Sequence, residues 1–198
     1  FFPKEKIAPS SARIFALWMR ILKRASNAVL WLRLSDDAFS NLQAAATQAG
    51  IDELRLINAP RIIDKTAHLT RHASADLFLD TLIFNAHSTA FDALRAGVPL
   101  MTSPGETFQS RVTAAILRAA GLEDLVAENS SAYEELAVEL CANPSMLAEF
   151  KNRLSAGLVR PAFQTIPFVR SLEYAFSEMW LQHAAGMGAT DFEVPVFE

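Results

Sequence analysis

The sequence has almost no cysteine. Cys141 is alone among 198 residues, which excludes an internal disulfide and a cysteine-built zinc site and fits a reducing, cytoplasmic setting. The chain also lacks any run near the ~20 apolar residues that a membrane helix requires. Phe1–Pro9 holds Lys4, Glu5 and Lys6 rather than the apolar stretch of a secretory signal. Positive charge is not in excess: 18 Lys+Arg stand against 22 Asp+Glu, a net charge of −4. General nucleic-acid binders are usually basic, so neither a nucleic acid nor a membrane is an expected partner. There is no GxGxxG, no GxxxxGK(S/T) and no GxSxG elbow. A DxD-type pair in a strand-end loop and a His/Asp/Glu cluster at metal-ligand spacing are missing too. No metal or other cofactor is therefore expected.

What is present is a foldable, alternating pattern. Hydrophobic residues make up 51% and charged residues 20%, enough for one buried core and one domain, or two small ones. Ala28–Leu34, Leu54–Asn58, Asp76–Asp80 and Val98–Thr102 read as strands, with a short fifth at Asp124–Ala127. Between them Ser11–Ala25, Ala38–Ala49, Lys65–Ala73, Ser88–Ala96 and Phe108–Ala120 read as helices. In the first, Ile14, Leu17, Trp18, Ile21 and Leu22 fall at helical spacing. Gly50 and Gly121 close the second and the last. Strands separated by helices imply a parallel, Rossmann-like sheet. Beyond Ala127 only helices are expected, at Ala132–Cys141, Ser145–Leu158 and Pro167–His183, followed by an extended tail from Gly186. The resulting division is a Rossmann-like domain over 1–130, C-terminal helices over 131–185 and a tail over 186–198.

Ligands of open parallel sheets bind beyond the carboxyl ends of the strands, so residues after strands carry the information. After Asp80 the chain runs through Asn85-Ala86-His87 into a helix opening at Ser88 and Thr89. Free first-turn amides, hydroxyls and the helix dipole suit a phosphate there. Asp92, one turn on, could take the two hydroxyls of a ribose. Equally, Ser88 could be only an N-cap and Asp92 a solvated side chain. Lys65, His68 and Arg71 share one side of a short helix, either as a nucleotide-facing surface or as a solvated basic face. Lys6, before Pro9 and Ser10, could neutralise a diphosphate or be an ordinary surface lysine. Ser103–Arg111 borders the same end, with Pro104-Gly105 as a turn and Thr107 as a helix cap.

An ordered set of motifs resembles the C-terminal catalytic half of the O-linked N-acetylglucosaminyltransferase family, which shares a superfamily with the SPINDLY proteins. The set comprises Lys6-Ile7 followed by Pro9; Val29-Leu30-Trp31-Leu32; and His68 with Arg71 ahead of Ala75–Thr81. It continues with Asn85-Ala86-His87-Ser88-Thr89 and Asp92; Ala96-Gly97-Val98-Pro99; Gly105-Glu106 with Ser110-Arg111-Val112; and Leu172-Glu173 with Met179-Trp180. It covers about residues 1–185.

The resemblance implies the nucleotide-binding, C-terminal domain of a GT-B glycosyltransferase with a helical tail. It implies an inverting, metal-independent transfer of a sugar from a UDP-sugar, with N-acetylglucosamine the expected sugar, to Ser or Thr of protein acceptors. Lys6 would stabilise the leaving UDP and act as the catalytic residue. Ser88 and Thr89, with His87 beside them, would hold the phosphates; Asp92, with Lys65 nearby, the ribose; His68 and Arg71 the uridine end. Ser88 stands where the family usually has threonine, and Phe1–Glu5 departs from the family pattern before the lysine. His87 and Asp92 favour UDP over the GDP-fucose of the SPINDLY branch. That branch, and a UDP-binding but inactive regulatory module, are the alternatives. An N-terminal half on a separate chain or segment is an expected partner.

Overall fold

The computed structural model describes residues 9–160 and 163–197. Among them helices and short strands alternate in the first two thirds: α1 (Pro9–Arg24), β1 (Leu30–Leu32), α2 (Asp36–Gln48), β2 (Leu56–Asn58), α3 (Lys65–His72), β3 (Phe78–Leu79), α4 (Ser88–Arg95), β4 (Leu100–Met101) and α5 (Val112–Ala119). Three helices follow: α6 (Ser130–Ala142), α7 (Pro144–Gly157) and α8 (Thr165–Ala184). The expected order of elements and the α/β class therefore hold.

The strands are shorter than the apolar runs that encode them. β1 pairs in parallel with β2, setting Leu30 opposite Leu56, and β3 pairs with β4, setting Phe78 opposite Leu100. The single sheet expected from the sequence is thus two hydrogen-bonded pairs. The expected fifth strand reduces to one parallel bridge between Thr102 and Val126, because Glu123–Leu125 tightens into a 3-10 turn.

Side chains replace the ladder at the strand ends. Asn58 Oδ1 accepts from Leu34 N at 3.1 Å, ending β1 two residues early. At the end of β3 the Asp80 carboxylate takes the amides of Thr81 and Ala86, diverting the chain out of the sheet. The helix expected over Phe108–Ala120 is also broken: a 3-10 turn at Phe108–Ser110 precedes α5. There Ser110 Oγ bonds to both the N–H and the carbonyl of Thr107, competing with helix continuation.

The core joins strands and helices. Leu94, Leu100, Met101, Leu117, Leu125 and Tyr133 are fully buried. α1 buries Ile14, Leu17, Trp18, Ile21 and Leu22, the stripe expected from its spacing, and packs against α6. At the edge of that contact Arg20 Nε donates to Glu134 at 2.7 Å and Arg24 Nη2 to Glu135 at 2.6 Å. Arg55 donates to the carbonyls of Ala25 and Ala28, tying the end of α1 to the start of β1. α7 closes on α5 at Gly157, where a Cβ would collide with the Ala120 carbonyl.

Candidate functional site

α3, which follows β2, and α4, which follows β3, pack together. The loop between β3 and α4 is built around Asp80, which is fully buried. Its Oδ1 accepts from Ala86 N at 2.7 Å and Thr81 N at 2.9 Å; its Oδ2 accepts from Thr102 Oγ1 at 2.8 Å. Burial raises its carboxyl above the ordinary carboxylate range, and these hydrogen bonds oppose that rise. Tyr133 Oη, buried beneath, donates to the Asp80 carbonyl at 3.0 Å. Asn85 donates through Nδ2 to Thr81 O, and Thr113 Oγ1 donates to Ala86 O, both at 2.8 Å. The loop is thereby held from both sides.

What it presents is the start of α4. Ser88 and Thr89 are its first residues and both are exposed. The N-cap position belongs to His87, not to Ser88, and His87 makes no capping bond through its side chain. Its ring instead stacks on Phe84, with centroids 5.0 Å apart, and meets Phe108 edge-on. Phe84 and Phe108 are largely exposed. Ser88 and Thr89 thus bring two exposed hydroxyls to the start of α4 beside the His87 ring, while the Ala90 amide is taken by the His87 carbonyl at 3.1 Å.

One turn along, Asp92 faces α3. Its Oδ1 lies 2.5 Å from Lys65 Nζ, and its Oδ2 lies 3.7 Å from His68 Nε2. Asp64 starts α3 by accepting Ala67 N through its side chain, which fixes the helix orientation. Lys65, His68 and Asp92 line a concavity of about 220 Å³ together with Arg33, Arg61, Ile62 and Ile63. Arg71 is not in that lining. It donates to the Pro60 carbonyl and, at 3.2 Å, to His68 Nδ1, bracing the loop after β2. Three of the residues singled out by sequence, Lys65, His68 and Asp92, are therefore brought together, with His87, Ser88 and Thr89 one turn away. Lys6 lies outside the described residues.

Other residues were not singled out by the sequence reading. Arg33 and Arg61 follow β1 and β2, so the strand-end rule could have found them. His72 lies four residues after His68, and its ring nitrogen reaches His68 Nε2 at 3.2 Å. Burial, then the neighbouring His68 and Arg71, lowers the proton affinity of His72 below that of a free imidazole. No group of three or more His, Cys, Asp or Glu side chains among the described residues is placed to hold a metal ion, and no described helix is long and apolar enough to cross a membrane.

The profile of glycosyl transferase family 41 matches residues 4–170. An Arabidopsis thaliana protein named a probable UDP-N-acetylglucosamine–peptide N-acetylglucosaminyltransferase SEC is 34% identical over 89% of this chain and 18% of its own length. The Caenorhabditis elegans UDP-N-acetylglucosamine–peptide N-acetylglucosaminyltransferase is 29% identical over 92% of this chain and 16% of its own. The chain thus spans less than a fifth of the length of these relatives. A mutant of the Thermobaculum terrenum O-GlcNAc transferase superposes with a TM-score of 0.75 and 30% identity, over 85% of this chain and 33% of that one. The fold is accordingly the Rossmann-like α/β domain that the resemblance implied.

Proposed function

The chain belongs to glycosyl transferase family 41, and on that premise we propose that it is the donor-binding part of a protein O-glycosyltransferase. The enzyme moves N-acetylglucosamine from UDP-N-acetylglucosamine to Ser or Thr of a protein acceptor. The observation that carries this reading is the spacing of two complementary features. An open helix start with Ser88 and Thr89 suits phosphates, and one turn on a concavity holds Asp92 beside Lys65 and His68. A nucleoside diphosphate offers those same two chemistries, an anion on the 5′ carbon and a vicinal diol at the 2′ and 3′ carbons, on one ribose.

In the proposed reaction the acceptor hydroxyl oxygen bonds to the sugar's anomeric carbon from the face opposite UDP. The bond from that carbon to the phosphate oxygen breaks, and UDP leaves with its electron pair, so the configuration inverts. Negative charge grows on the diphosphate. The helix start at Ser88 and the Lys6 ammonium stabilise it without a metal ion. The acceptor's proton passes to a base that we assign to the other half of a GT-B enzyme, across the cleft from this domain. Residues 1–130 form the donor domain, 131–185 the helices that join it to that half, and 186–198 a tail.

Calorimetric titration of the complete protein with UDP, UMP and GDP tests the reading. UDP is expected to bind more tightly than UMP, because the helix start grips the distal phosphate. Tighter binding of GDP than of UDP would overturn the assignment of the donor.

A further inference from the structure

His72 sits on α3 one turn beyond His68 and outside the lining of the concavity. The two rings meet edge to face, with centroids 4.6 Å apart and their Nε2 atoms at 3.2 Å. The other nitrogen of His68, Nδ1, faces Arg71 Nη2 at 3.2 Å. A guanidinium only donates. His68 Nδ1 must therefore accept, and the neutral ring carries its proton on Nε2. Two acceptors compete for that proton: the lone pair of His72 Nε2 at 3.2 Å, and Asp92 Oδ2 at 3.7 Å. The first is within hydrogen-bond reach and the second is beyond it.

We propose that His72 is a proton-controlled positioning residue for the donor site: neutral, it holds His68 off Asp92, and protonated, it releases His68 onto that carboxylate. The proposal rests on the reading of Asp92 as the group that takes the ribose. A proton on His72 Nε2 sets two N–H groups head to head. His68 then turns its own N–H toward Asp92, which already faces Lys65 at 2.5 Å. With both oxygens engaged, Asp92 has less to offer a diol, and nucleotide affinity falls.

The charged and titratable groups acting on His72 are Lys65, His68 and Arg71 of its own helix and Asp92 of α4. Burial, His68 and Arg71 disfavour the proton while Asp92 favours it. The switch therefore works on the acid side of 6.5, the ordinary imidazole value.

The test is calorimetric titration of the complete protein with UDP between about pH 8 and about pH 5, the span over which imidazoles titrate. The wild type is compared with His72→Gln, whose amide oxygen accepts at every pH, and His72→Leu, which never accepts. Protonation of UDP itself is common to all three and cancels in the ratios. Over that span the wild type is expected to lose about fivefold more affinity than His72→Gln, the worth of one neutral hydrogen bond. His72→Leu is expected to bind as the acidified wild type does, with no such difference across the span.

Parallel pH profiles for wild type and His72→Gln would overturn the role of His72 alone. Failure of the wild type to bind UDP at about pH 8 would overturn the nucleotide reading, and this inference with it. Nitrogen-15 NMR of the ligand-free wild type adds a readout that needs neither variant nor ligand. His68 is expected as the Nε2–H tautomer, and the Nδ1–H tautomer would refute the mechanism.

Discussion

α4 and α8 use their apolar residues in opposite ways. α4 has eight residues and buries Ala90, Ala93 and Leu94 completely. α8 has twenty and buries none, although Phe176, Met179, Trp180 and Leu181 are each more than half exposed. Both helices are apolar enough to seek a core, yet among the described residues α4 finds one and α8 buries no side chain. The difference separates apolar residues that build the core from apolar residues that stay at the surface. The buried face of α4 also fixes the position of Ser88 and Thr89, which open the site from its exposed end. The proposed second half of the enzyme is the natural cover for α8.

The comparison can be tested by deletion. Leu94→Ala is expected to cost about 3 kcal/mol, the usual penalty for a cavity at a fully buried leucine. Chemical denaturation of this chain would measure it, and a loss below about 1 kcal/mol would mean that α4 does not anchor the core. Gly157→Ala comes next. Its new Cβ meets the Ala120 carbonyl, and overpacking of this kind costs about 2 kcal/mol. An unchanged denaturation midpoint would show that α7 is free to shift away from α5.

A smaller effect is expected from pH. Asp80 carries a raised pKa, so over the window from its ordinary 3.8 up to its raised value the native state holds more proton than the unfolded chain. Stability must then fall as pH rises through that window. Asp80→Asn removes this slope, and equal slopes in the two proteins would show that Asp80 is not the group responsible. The smallest effect belongs to Trp180→Ala, below about 0.5 kcal/mol for this chain alone, because an exposed side chain loses little. A melting shift as large as that of Leu94→Ala would erase the contrast between the helices.

Much of this arrangement was legible in the sequence, and the exceptions have a common cause. The stripe Ile14–Leu22 on α1 and the helix opening at Ser88 follow from local spacing and turn chemistry. Asp92 could be placed on the same face as Ser88 for the same reason. Its pairing with Lys65 follows from the family resemblance but not from local spacing, because it depends on how α3 packs against α4 across 27 positions of sequence. Asp80 reads as the polar end of a buried strand. Its role in gathering the amides of Thr81 and Ala86 appears only once the loop is closed. The division of the sheet was hidden likewise, since Asn58 and Asp80 end the ladders through side-chain bonds that hydrophobic patterning does not register. Arg33 lies inside the apolar run Ala28–Leu34, which hid it as a strand-end residue, and Arg61 follows β2 in a loop that carries no motif.

The clasp between α1 and α6 bears on the order in which the protein is made. Arg20 and Arg24 meet Glu134 and Glu135 across 110 to 114 positions of chain. A ribosome therefore completes α1 long before its partner exists, and the contact of α1 with α6 must wait while the four intervening helices, α2 to α5, emerge. Domains that close on their own first element late in synthesis fold as units rather than progressively. Nascent chains stalled before Glu134 are expected to leave α1 open to protease, and chains released past α6 to protect it. Protection of α1 in the shorter chains would mean that the helix finds an earlier, provisional shelter.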